Sequence, residues 1–413
     1  MPLFYKYYQK FSKDAELEIL EESFYRDVIQ RCRLLRNHKH KSALRMINST
    51  WMALEEIINT FQPSLTLSCC TDFFVVDLLE RVGNKNGIQF IGLARPSVKQ
   101  RVMFLSNQEF RVLDHPDTQD INKIAEEITN PNFMPTKNNF NIPGSTRFLK
   151  DKSLWIIRRH FFDFLRIATR DPFNPEYLLN PKPGDDYYFT LGDYLKMSQL
   201  ADSDWKVKLN NTIFEKRLFI GLQVNPECTV DYWIKDLELA QYKKALNRLV
   251  KCLTRKGYTI FLKEHPDMYG RRKFSDFRDL IKYPGLVFVP FNINAQYLID
   301  NCKSTFTWTG TIGMQAAIHG RCAIIAKNMY YSTQYDFIHV TSIDDIDDLP
   351  KRIEDFKLPQ NLKPTHERIA SKIASTSVPG SRSISISKDD IEGTNILINS
   401  LNKYLPSCIF SCS

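Results

Sequence analysis

TFTWTGTIGMQAAIHGRCAII, residues 305–325, decides the fold. An apolar run (TFTW) passes through a glycine turn (TGTIG) into a helix-like segment (MQAAIHG) and then a second apolar run (CAIIA, 322–326). The same alternation extends upstream from residue 216. Strand RLFIGLQ precedes helix 236–256, strand YTIFLK helix 273–282, strand LVFVP helix 294–301, and strand TFTW helix 311–319. Strands alternating with helices predict a parallel sheet covered on both faces. Ligands of such sheets sit outside the carboxyl ends of the strands. Lys263, His265, Pro290, Thr307, Thr309 and Gly310 all fall at or just beyond such ends.

The bulk composition is that of an ordinary globular protein. Of 413 residues, 43% are hydrophobic and 25% charged, which is enough for two domains with their own cores. The net charge of +9 is spread along the chain, which fits an anionic substrate or an acidic membrane surface better than a dedicated nucleic-acid reader. No segment reaches the ~18 apolar residues of a membrane span, and MPLFYKYYQKFSKD lacks the apolar core of a signal peptide. The nine cysteines form no CxxC pair and several lie in apolar runs. They read as reduced thiols of a cytoplasmic protein, with neither a disulfide framework nor a zinc site. No Walker, GxGxxG, GxSxG or HExxH motif occurs, and neither a metal nor a cofactor is expected.

Outside the regular region the pattern is looser. Residues 12–60 look mostly helical, and LTLSCC (65–70), a helix from Asp72 to Val82 and IQFIGL (88–93) form a β-α-β unit. Residues 115–150 and 171–187 are rich in Asn, Pro and Thr and read as loops. A helix over 152–169 carries an apolar stripe of Leu154, Ile157, Phe161, Phe164 and Leu165, with Arg159, Asp163, Arg166 and Arg170 on another face. Such a helix can rest on a membrane, though a solvated basic face is the commoner case. The acidic run TSIDDIDDLP suggests helix capping, 375–390 a Ser-rich loop, and 391–404 a last helix packing back on the first domain. The expected division is 1–215, 216–345 and a tail, 346–413.

Five places can carry chemistry. Pro266 ends its strand and aims His265 into a cleft, where a His can donate to a phosphate oxygen or protonate a leaving group. Lys263, two residues earlier, shares its strand face. The dipeptide recurs at His115-Pro116 in a loop context, so His-Pro alone is a weak signal. Thr309-Gly310-Thr311 offers backbone N–H groups and hydroxyls at a helix start, suited to phosphate, although Thr is also an ordinary cap. Glu227 follows RLFIGLQ and can accept bonds from a sugar or ribose hydroxyl or act as a base; a plain loop carboxylate is the alternative. Asp72 follows LTLSCC as a possible acceptor base or N-cap. Arg95 and Arg101, after IQFIGL, can meet an anionic acceptor.

With these residues in hand, the second half resembles the capsule polysaccharide biosynthesis family. LQVNPECTVDYW (222–233), FLKEHP (261–266), TWTGTIGMQAAIHGRCAII (307–325) and Tyr330-Tyr331 match in order. Residues 215–345 match well and 60–105 faintly; the family's hydroxyl turn often begins with Ser, where Thr309 stands here. The resemblance implies two Rossmann-like domains facing across a cleft, the GT-B arrangement. It implies a metal-independent glycosyltransferase, Kdo-transferase-like, bound peripherally at the inner membrane and using a nucleotide-sugar donor, in several members CMP-linked. The acceptor would be a glycan or glycolipid on the first domain. Lys263, His265, Thr309, Gly310, Thr311 and Tyr330 would hold the donor and Glu227 its sugar or ribose. Alternatives are a CDP-polyol phosphotransferase of teichoic-acid type and a non-catalytic GT-B-like binding module.

Overall fold

The computed structural model describes residues 2–11, 18–113, 116–130, 133, 190–268, 272–381 and 388–410, and positions 153, 154, 157, 160, 161 and 164. His115-Pro116 and most of the helix expected over 152–169 therefore fall wholly or partly outside the described residues.

The first sheet begins with β1 (Leu65–Cys69), β2 (Gln89–Ala94), β3 (Arg101–Ser106) and β4 (Glu109–Phe110). β1 and β2 run parallel through the crossover helix Phe74–Lys85, as the β-α-β reading requires. β2, β3 and β4 continue as an antiparallel meander. Helices Glu22–Arg31 and His40–Phe61 precede the first strand, and Tyr25, Leu44, Ile47 and Trp51 join Leu78 and Val82 in one buried cluster.

The second sheet holds β5 (Arg217–Gly221), β6 (Thr259–Lys263), β7 (Leu286–Val289), β8 (Ser304–Thr307), β9 (Cys322–Ile325) and β10 (Phe337–His339). All its pairings are parallel, in spatial order β7-β6-β5-β8-β9-β10. Counted within the sheet this is 3-2-1-4-5-6, the order of dinucleotide-binding folds, whose crevice opens where the order reverses. Here that point lies between β5 and β8. Alternate side chains feed the two faces. Leu218, Ile220, Ile260, Leu262 and Phe306 pack with Leu246, Leu249 and Leu253 of helix Tyr242–Arg255. Phe219, Phe261 and Ile325 pack with Leu298, Met314 and Ala317 on the other face. Each fully buried Leu, Ile or Phe contributes about 1.5–3 kcal/mol.

Two expected helices differ. The helix over 236–256 breaks at Gln241 (φ −70, ψ 77) into Leu237–Ala240 and Tyr242–Arg255, which lets buried Tyr242 stack near Trp308, 4.3 Å between rings. Residues 273–282 form two 3₁₀ turns, Phe274–Asp276 and Leu280–Lys282. There the Phe274 N–H, which a helix starting at 273 would leave without an acceptor, donates to Asp193 Oδ1 at 3.0 Å, and Pro284 limits continuation. The acidic run does not cap helix Asp345–Asp355 by a side-chain bond at its N-cap, Asp344; Asp345 Oδ2 instead accepts from the Thr341 and Ser342 N–H groups that precede the helix.

The chain then recrosses to the first domain. β11 (Ser377–Pro379) pairs antiparallel with β3, and Leu397 of the last helix is buried with Ile91, Val102 and Phe104. The result is two α/β domains facing across a cleft. Arg31 of the first domain, 3% exposed, donates to the carbonyls of Asp231, Ile234 and Lys235 at 3.0, 2.7 and 2.7 Å. Phe110 meets Trp233 edge-on at 5.4 Å.

Candidate active site

The cleft has a volume of about 760 Å³ and opens along the carboxyl edge of the second sheet. Gly221 ends β5 where Ile312 crosses it; a Cβ there would overlap the Ile312 side chain. Gly313 is similarly tight, since a Cβ would lie 2.8 Å from Ile325 Cγ2. These two glycines let helix Ile312–Ile318 sit directly on the strands at the switch point.

Gln223, 7% exposed, organises the corner. Its Nε2 donates to Glu227 Oε2 at 2.8 Å and to Thr309 Oγ1 at 2.9 Å. Its Oε1 accepts from the Thr309 N–H at 3.2 Å. Thr309 Oγ1 donates onward to Thr229 at 2.8 Å, and Tyr331 fixes the turn by donating to the Gly310 carbonyl at 2.8 Å. Thr309 thus serves the turn's own framework. Thr311 is half-buried on the cleft wall and makes no side-chain cap bond.

Lys263 closes β6 and is 6% exposed. Burial pulls its ammonium down to about 8, against a smaller opposing pull from Glu264. Its Nζ donates to the Glu264 carbonyl at 3.3 Å. The next carboxylate, Glu264, is held by Arg272 at 2.7 and 2.9 Å, and Glu264 Oε1 accepts the His265 N–H at 2.7 Å. Arg272 also donates to the Gln223 carbonyl at 2.7 Å. This buried ion pair ties the His-Pro turn to the Gln223 corner. His265 itself is half-buried and lines the cleft. Burial raises the Glu227 carboxyl above the usual carboxylate range, while Gln223 and Thr229 hold it back.

The structure therefore brings Glu227, Lys263, His265, Thr309, Gly310, Thr311 and Tyr330 to one cleft. Tyr330 is 3% exposed, and its hydroxyl binds Ser97 N at 2.8 Å and Ser97 Oγ at 2.6 Å, tying the two domains together. Asp72 is exposed and does not line the cleft; it is not the cap of its helix either, since Phe73 holds that position. Asp77 is buried against Arg81 at 2.9 Å, and Asp231 faces Arg36 at 3.4 Å. Arg101 is buried and bonded to Asp120 and Ser377, whereas Arg95 lines the cleft. Gln223, Arg272 and Trp233 were not singled out from sequence. The position of Gln223 at the end of RLFIGLQ, a strand at the switch point, is the one signal that could have found it. Among the described residues no cluster of His, Cys, Asp or Glu can hold a metal ion, and no helix is long and apolar enough to cross a membrane.

No family model matches the chain, and no curated protein matches it in sequence. Solved structures are similar at low levels. The beta Kdo 2,7 transferase of Thermosulfurimonas dismutans KpsC is 12% identical, with a TM-score of 0.36, covering 84% of this chain and 90% of that one. The beta Kdo 2,4 transferase of the same protein is 11% identical, with a TM-score of 0.35, covering 82% and 86%. The UDP-GlcNAc 2-epimerase of Methanocaldococcus jannaschii is 13% identical, with a TM-score of 0.27, covering 79% and 80%. The functional reading rests on the chain's own residues.

Proposed function

We propose that the chain is a metal-independent glycosyltransferase that moves a sugar from a nucleotide-activated donor, CMP-linked sugars foremost, to a glycan or glycolipid in building a capsule or other surface polysaccharide. The observation carrying this reading is the convergence of Lys263, His265, Thr311 and Glu227 on one edge of a parallel sheet at its switch point. Lys263 and the Thr309–Thr311 turn face the donor phosphate. His265 donates to the departing phosphate oxygen, offsetting the charge that develops as the glycosidic bond breaks. Glu227 accepts from a sugar or ribose hydroxyl, or takes the acceptor's proton; its raised pKa suits the second role. The exposed Leu154, Ile157 and Phe164, 55%, 67% and 67% accessible, repeat at helical spacing in a stretch whose sequence assigns Arg159, Asp163, Arg166 and Arg170 to another face, which supports peripheral contact with an acidic membrane carrying the acceptor.

The test is transfer from a panel of radiolabelled CMP-, UDP- and GDP-sugars to lipid-linked glycans. The expected result is acceptor-dependent release of one free nucleotide with a labelled glycan product. Absence of transfer from every donor would remove the catalytic reading, and transfer of labelled polyol phosphate from a CDP-polyol added to the panel would assign that reaction instead.

A further inference from the structure

We infer that the first-domain wall of the cleft carries a subsite for an anionic acceptor, with Arg95 as the group that reads its charge. This rests on the transferase reading above and adds the acceptor's chemical class. Arg95 stands one residue beyond the carboxyl end of β2, is exposed, and lines the cleft. Its side chain has no hydrogen-bond or ion-pair partner among the described residues. Of the other basic residues of the stretch, Lys99 does not line the cleft, and Arg101 is 6% exposed and bound to Asp120 Oδ1 and the Ser377 carbonyl, each at 2.6 Å. Among the described residues, the rest of the first domain's contribution to the wall is Pro96, Ser97, Met103 and Phe133, none of them charged. Among the described residues Arg95 is thus the one cation that this domain presents to the cleft, facing a corner whose own cation, Lys263, belongs to the other domain.

The backbone beneath Arg95 is held in place. Pro96 restricts it to extended conformations. Ser97 is tied to Tyr330 through both its N–H and its hydroxyl, and Val98 is 3% exposed in the core shared by the two domains. A guanidinium on such a pre-set segment loses little backbone freedom on binding, and its forked donors match a carboxylate or phosphate. The ligand this group fits is a sugar bearing a carboxylate or phosphate near the hydroxyl that receives the transfer. The acidic groups of the donor share this chemistry, so the test must separate the two sources.

The experiment compares wild type, Arg95→Gln and Arg95→Lys. Thermal shifts with CMP, CDP, UDP and GDP come first. The nucleotide-bound proteins are then titrated calorimetrically with a glucuronate-bearing disaccharide and with its neutral glucose counterpart. The expected result is an equal nucleotide shift in all three proteins and a preference of about tenfold or more for the charged probe. Arg95→Gln abolishes that preference and Arg95→Lys keeps part of it. Equal binding of the two probes, binding of neither, or a preference that survives Arg95→Gln overturns the inference. A nucleotide shift weakened in Arg95→Gln assigns the residue to the donor, which overturns the acceptor subsite and leaves the transferase reading intact. No nucleotide shift in any of the three proteins removes that reading and the inference with it.

Discussion

The two sheets differ in how they distribute chemistry. In the second, every strand is parallel, so all carboxyl ends share one edge, and Gln223, Lys263, His265 and the Thr309–Thr311 turn collect there. In the first, only β1 and β2 are parallel, and the meander β2-β3-β4 sends successive strand ends to opposite edges. Its share of the cleft wall is correspondingly sparse, with Arg95 as the only charged group among the described residues. Parallel pairing concentrates ligand-binding groups by geometry alone, whereas a mixed sheet must supply them one at a time. On the proposed function, the second domain would hold the donor and the first would select the acceptor.

Substitutions on the two walls break this contrast in graded ways. The largest effect belongs to the second-domain edge: His265→Ala should lower transfer by about a hundredfold or more while leaving the fold intact, measured as product formation at saturating donor. Near-normal turnover of the folded variant would take His265 out of the chemistry. Next comes Gln223→Leu, which leaves the Thr309 N–H and the Glu227 carboxylate without their partner. A loss of about 1–3 kcal/mol in urea unfolding, with turnover reduced about tenfold, is expected. An unchanged urea midpoint would mean the corner does not depend on Gln223.

The third effect is a pH dependence. With Lys263 titrating near 8, the free protein should lose nucleotide affinity about tenfold per unit as pH rises above that value, and Lys263→Met should flatten the profile. The stability trend has the opposite sign. A buried lysine whose ammonium is lowered from 10.5 to about 8 binds fewer protons when folded, so its penalty is fully present below pH 8 and is relieved as pH rises towards 10.5. Affinity that is flat from pH 7 to 10 in the wild type would contradict the assignment. The smallest effect is expected at Asp72→Asn. This residue is exposed and outside the cleft lining, so activity should change by no more than about twofold. A large loss would return Asp72 to the site as a base.

The parts readable from sequence are those governed by local pattern. Five of the six strands of the second sheet are short apolar runs bounded by turns, and the positions of Lys263, His265 and Thr309 follow from where those runs end; β10, three residues long, carries no such run. Three features escaped. The 3₁₀ crossover at 274–282 depends on a bond from Asp193, some eighty residues away. The pairing of β11 with β3 joins segments nearly three hundred residues apart, and no local signal marks it. Gln223 carries no charge and nothing within LQVNPECTVDYW sets it apart, so its role as the joint between Glu227 and Thr309 becomes visible only when β5 and β8 lie side by side. Arg95 and Arg101 looked alike in sequence; burial separates them.

The most direct test of the central claim, that the β5–β8 edge is a nucleotide-phosphate site, is thermal unfolding of the purified protein with CMP, CDP, UDP and GDP, alongside His265→Ala and Lys263→Met. A ligand that binds the native state raises its apparent stability, by about 2.7 kcal/mol at a hundred times its Kd. The account predicts a shift with one nucleotide that is lost in both variants. No shift with any nucleotide, or a shift unchanged in both variants, would contradict it.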